Sequence, residues 1–260
     1  MFNIFRRRRD GIILKSPEQI EAMKEAGRVS ALALRRAGSL SEPGISTLEI
    51  DAEVERLIRS EGGTPTFKGH GGFPGSICAS PNSKVVHGIP RADVILKEGD
   101  ILSVDTGATV DGWVGDNAFT FKVGKVDAEK ELLCKTTAAA LEAGIAAAQP
   151  GARLGDVGHA VQQVAEAQGF GVVREYVGHG VGSVMHEPPE VPNYGKPGRG
   201  IKLEPGMVIA IEPMVTAGSY LVHTIHDGWG VVTNDGKPAA HFENTIAITE
   251  DGPVILTRAD

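Results

Sequence analysis

A chain of 260 residues, 41% of them hydrophobic and 23% charged, is long enough to bury a sizeable core and needs no more than one domain. Its formal net charge of −7 argues against a general nucleic-acid binder, DNA included, because neutralising phosphates takes clustered positive charge. No run approaches the roughly 18 to 20 apolar residues of a membrane span, and two cysteines without a pairing framework read as free thiols of a cytoplasmic protein.

Taken in chain order, residues 1–11 hold the basic cluster Arg6 to Arg9 and no apolar signal-peptide core. They read as a flexible tail, with a weak contact to an acidic surface such as ribosomal RNA as the functional alternative. A single domain is expected over residues 12–260. Helical periodicity runs through 16–38, opened by Ser16 and Pro17 as cap and first turn, and again through 47–63. Residues 64–96 are rich in Gly, Pro, Ser and Asn and read as a loop with short strands that walls a pocket.

The stretch "ILSVDTGATVDGWVGDNAF" (101–119) then sets Asp105 and Asp116 within two core strands joined by Asp111-Gly112. That two-residue hairpin signal pairs Val110 with Trp113 and Gly107 with Asp116, which makes Asp105 and Asp116 diagonal neighbours on one face. Helical patterns return at 127–151 and 154–170. Beyond them "LEPGMVIAIEPMV" echoes "KEGDILSVDTG", and "FENTIAI" echoes "GDNAFTF", so Glu212 and Glu243 stand where Asp105 and Asp116 stood. The pseudo-repeats cover about 16–121 and 127–248. They predict an α+β fold whose antiparallel strands form one curved sheet backed by helices, with the four carboxylates converging on an internal pseudo-two-fold axis.

Buried carboxylates side by side repel and take up protons unless a cation or hydrogen bonds compensate them. A pair of divalent ions solves the problem, and oxygen ligands with an imidazole suit Mn, Fe, Co or Zn. The imidazole is assigned to His179 in "YVGHGVGSVMHEPPE", where glycines let backbone approach closely; His87 and His186 lie in similar settings. Other motifs fail. Consecutive prolines in "HEPPE" forbid a helical HExxH site, no GxSxG elbow occurs, and "GHGVG" lacks the register of a phosphate loop.

Together "VVHGIP", "SVDTGATVDGWVGDNA", "YVGHGVG", "HEPP", "IAIEPMV", "DGW" and "HFENTIAI", in that order, make the chain resemble the type I methionine aminopeptidases from about residue 12 to 257. The resemblance implies the pita-bread fold, a single catalytic domain in a monomeric enzyme, and two divalent ions: Asp105 on one, His179 and Glu212 on the other, Asp116 and Glu243 bridging. It implies removal of the initiator methionine from nascent polypeptide N-termini when the second residue is small, by metal-activated water. Glu212 is the implied proton shuttle, His186 the group that stabilises the developing oxyanion, and His87 the contact to the scissile nitrogen. Phe73, Cys78 and Trp229 match positions of the methionine pocket. His70, Phe67 and Met185 align with further pocket positions where the best-known bacterial pattern has a tyrosine, a cysteine and a phenylalanine. Two rivals keep the fold: a proline-directed peptidase with the same ligands, and a non-catalytic binding module, which would be expected to lose them.

Overall fold

The computed structural model describes residues 6–7 and 10–259. Four helices carry the two halves: α1 (Pro17–Leu40) and α2 (Thr47–Ser60) in the first, α3 (Ala128–Ala147) and α4 (Leu154–Ala167) in the second. Each of the first pair is opened by a capping box, Ser16 with Gln19 and Ser46 with Glu49, in which side chains satisfy amide groups the helix leaves free. The predicted helices at 47–63 and 127–151 end earlier than expected: α2 stops at Ser60, just ahead of Gly62 with its positive φ of 80°, and α3 stops at Ala147, ahead of Pro150, which cannot continue a helix.

The helices back a nine-stranded antiparallel sheet. Its strands include β1 (Ile77–Pro81), β2 (Ile101–Val110), β3 (Trp113–Lys122), β4 (Gly178–Gly180), β5 (Glu187–Val191), β6 (Val208–Ile211), β7 (Glu243–Thr249) and β8 (Gly252–Ile255). The order across the sheet is β5-β4-β6-β7-β3-β2, with Thr64–Pro65 and β1 on β2 and β8 on β7. The Asp111-Gly112 turn has φ of 48° and 80°, the doubly left-handed backbone of a tight hairpin. It fixes the register read from the sequence: Val110 faces Trp113 and Gly107 faces Asp116.

Two apolar cores follow the two halves. One gathers α1 and α2 residues such as Met23, Val29, Ile50 and Val54 against Val104 and Val114. The other gathers Leu133, Val157 and Val161 from α3 and α4 against Ile209, Ile211 and Ile246. The halves meet where β3 pairs with β7, through Asn117 with Asn244 and Ala118 with Glu243.

Within the basic segment, Arg6–Arg7 pair with Ile13–Leu14, so this part of the expected tail is tied into a small two-stranded sheet. Arg8 and Arg9 lie outside the described residues. Among the described residues, no helix is long and apolar enough to cross a membrane.

Candidate metal centre

Sheet register explains why the acids meet. Asp105 lies opposite Ala118 on β3, and Ala118 lies opposite Glu243 on β7. Ile211 pairs with Asn244, so one further step along the same register brings Glu212 opposite Glu243. Residues directly opposite share a face. Asp105, Glu243 and Glu212 therefore form one row across both halves, and Asp116, two residues from Ala118, stands beside it on the same face.

His179 is delivered by β4, squeezed between β5 and β6. A Cβ on Gly178 would meet the Ala210 carbonyl oxygen and one on Gly180 the Pro188 carbonyl oxygen, so glycine on both sides is what lets the strand fit. The His179 Nδ1 donates to the Gly180 carbonyl over 3.0 Å. In the neutral ring this leaves the Nε2 lone pair facing Glu212 Oε1 at 3.6 Å and Asp116 Oδ2 at 3.8 Å.

Asp105 Oδ1, Asp116 Oδ1 and Glu243 Oε1 are buried with no hydrogen-bond partner, a costly arrangement for protein alone. Burial drives the Asp105 and Glu243 carboxyls well above the usual range, with Asp116 adding to both. Burial pushes Asp116 up to about 6, His179 pulling against it. Orphaned acceptors and a bare imidazole nitrogen around one space are the donor set of a divalent cation. Among the described residues two triplets have ligand atoms close enough to hold an ion: Asp116, His179 and Glu243, and Glu212, His241 and Glu243. Asp105 falls outside both triplets, next to Asp116.

All thirteen residues singled out in the sequence line one cavity of roughly 350 Å³. Phe73 meets Trp229 edge-on at 5.1 Å, and Phe67, Cys78 and Met185 are buried beside them. His70 is exposed at the rim, in a short turn over His70–Gly72, with its ring 5.5 Å from that of His186. His186 sits 4.3 Å from the His179 ring. Partial burial, then the His179 and His70 rings, lower its pKa to about 4. His87 is also lowered, chiefly by burial, and holds a left-handed φ of 58°, a strained conformation for a residue with a side chain. Both imidazoles are therefore neutral near pH 7.

Sequence reasoning missed Tyr176, which packs edge-on against His87 at 5.6 Å, Met214 and His241, all in the cavity wall. The signal for His241 was present in "HFE": two residues apart on extended chain, His241 and Glu243 share a face.

A carboxylate row with an imidazole, set in a two-fold α+β sheet beside an apolar pocket, defines a metal-dependent peptidase of the pita-bread class. The model of metallopeptidase family M24 matches residues 21–250, and the chain belongs to that family. Methionine aminopeptidase 1 of Bacillus subtilis is 52% identical over 247 residues, covering 95% of this chain and 99% of that relative. The crystal structure of methionine aminopeptidase from Thermotoga maritima superposes with a TM-score of 0.93 at 46% identity, over 95% of this chain and 99% of the other. Prolidase from Pyrococcus furiosus, at 24% identity, a TM-score of 0.77 and 96% and 67% coverage, shares the fold.

Proposed function

We propose that this chain releases the N-terminal methionine of nascent polypeptides when the second residue is small. The observation that carries the reading is the meeting, in one cavity, of the carboxylate row and His179 with an apolar pocket walled by Phe73, Cys78 and Trp229, beside relatives that bear the name methionine aminopeptidase. An unbranched thioether suits such a pocket.

Two divalent ions, from among Co, Mn, Fe and Zn, held by Asp105, Asp116, His179, Glu212 and Glu243 would supply an activated water and a polarised first carbonyl. The protein's own groups do the rest. Glu212, half-buried at the end of β6, takes the proton from water and returns it to the leaving amine. Neutral His186, at the mouth, donates a hydrogen bond to the carbonyl oxygen as charge builds on it. His87, held by its left-handed backbone and by Tyr176, orients the scissile nitrogen. Phe67, His70 and Met185 complete the pocket. The enzyme works as a monomer in the cytoplasm, and Arg6 to Arg9 provide a transient ribosome contact.

The test is hydrolysis of Met-Ala-Ser and Met-Phe-Ser by metal-free protein, titrated separately with Mn, Fe, Co and Zn. Methionine is expected from the first peptide alone and only with metal, and Glu212→Gln should abolish its release. No release under any metal by folded protein overturns the reading.

A further inference from the structure

Across Glu212 from His179 stands a second histidine with the same surroundings. His241 lies at the end of the short strand Ala239–His241, with its side chain only 2% exposed. Its Nε2 is buried and has no hydrogen-bond partner. The nearest carboxylate oxygens are Glu212 Oε2 at 3.5 Å and Glu243 Oε2 at 3.8 Å. His179 meets Glu212 Oε1 at 3.6 Å and Asp116 Oδ2 at 3.8 Å. Each imidazole thus faces one oxygen of Glu212 and one oxygen of a carboxylate from another strand.

These separations are too long for hydrogen bonds, which close at about 2.7–3.2 Å. They match two donor atoms that share an ion: with bonds of about 2.1 Å, neighbouring ligands stand roughly 3–4 Å apart. The backbone that carries the ring is also held in place. The backbone N–H of His241 donates to Thr120 Oγ1, and that hydroxyl donates to the His241 carbonyl, both over 2.9 Å. Met214 pairs with His241 on the other side. A residue clamped at its backbone, with an orphaned nitrogen aimed between two acids, is built to meet a cation.

We propose that His241 is a further metal ligand, a second imidazole that joins Glu212 and Glu243 around one ion of the centre. The inference rests on the reading of this site as a metal-dependent peptidase and adds a nitrogen donor to it. A second imidazole shifts the preference of that position from Mn toward Zn, Co and Fe, which bind nitrogen more strongly.

The experiment loads metal-free protein with two equivalents of Zn(II) and counts imidazoles per protein by X-ray absorption. It does so for wild type, His241→Gln and His241→Asn, and measures Zn(II) affinity by calorimetry on the same samples. Two imidazoles are expected in wild type and one in each variant, with one binding event weakened at least tenfold. A single imidazole in wild type overturns the proposal, as does an unchanged count in folded variants; if neither variant folds, the wild-type count alone decides. Methionine release from Met-Ala-Ser by wild type separates the two readings. Release with one imidazole removes His241 from the centre and leaves the peptidase standing, whereas two imidazoles without release under any metal does the reverse.

Discussion

Asn117 faces Asn244 at the seam between the two half-sheets, and the residues around this pair repeat with the halves exchanged. Ala118 stands opposite Glu243, while on the other side of the Asn pair Asp116 exchanges hydrogen bonds with the Thr245 hydroxyl: its N–H donates over 3.2 Å and its carbonyl accepts over 2.7 Å. The acids of both halves are thereby fixed by one short stretch of pairing.

Glu243 belongs to both ion-capable triplets. Its replacement in Glu243→Gln should therefore lower methionine release by about 100-fold or more and reduce bound metal per protein, with the helical circular dichroism unchanged. Full metal stoichiometry in the variant would remove Glu243 from the centre.

Raised carboxyl pKa values make protons and metal compete for the same oxygens. Below its pKa near 6 the Asp116 carboxyl is protonated, and burial raises the Asp105 and Glu243 carboxyls in the same direction. Metal affinity should climb as pH rises from 5 to 8, with protons released to buffer on binding. Calorimetry in buffers of different ionisation enthalpy reads that release; an affinity flat across the interval would contradict it.

Cys78 pairs with Asp105 across β1 and β2 and lines the cavity, yet burial and then Asp105 push its thiol well above the usual range. Burial pushes Cys134 up to about 11. The thiolate is the reactive form, so iodoacetamide at pH 7.5 should leave native protein unmodified over a time that fully alkylates unfolded chain. Rapid single alkylation of folded protein would show an accessible thiolate.

Lys15 and Glu187 form an ion pair of 2.6 Å with side chains 2% and 4% exposed. Desolvation lowers the Lys15 pKa and the Glu187 partner opposes it. Lys15→Met leaves a buried charge uncompensated and should cost about 3–5 kcal/mol, on the order of 10 °C in Tm, while the Lys15→Met, Glu187→Met double variant recovers most of that. Equal loss in the single and double variants would mean the pair contributes packing alone.

The first hairpin and its register were legible because three rules agree there: a two-residue turn, period-two alternation, and the facing of residues across a strand pair. The echo between halves carried Glu212 and Glu243 along with it. His241 was harder, since its place depends on strands that meet only in the folded chain, Ala239–His241 against Met214–Thr216. Lys15 with Glu187 had no local signal at all, being 172 residues apart. The strained φ of His87 is likewise set by surroundings far along the chain, and nothing in "VVHGIP" demands it.

The seam has a mechanical side. Between β3 and β7 two residue pairs are in register, and hydrogen bonds between Asp116 and Thr245 and between Thr120 and His241 extend the joint to either side. Asp105 and Asp116 hang from one side of it, Glu212 and Glu243 from the other. A cation held between them would tie the two sides of the seam together, so the free energy of binding it would also add to the stability of the folded chain.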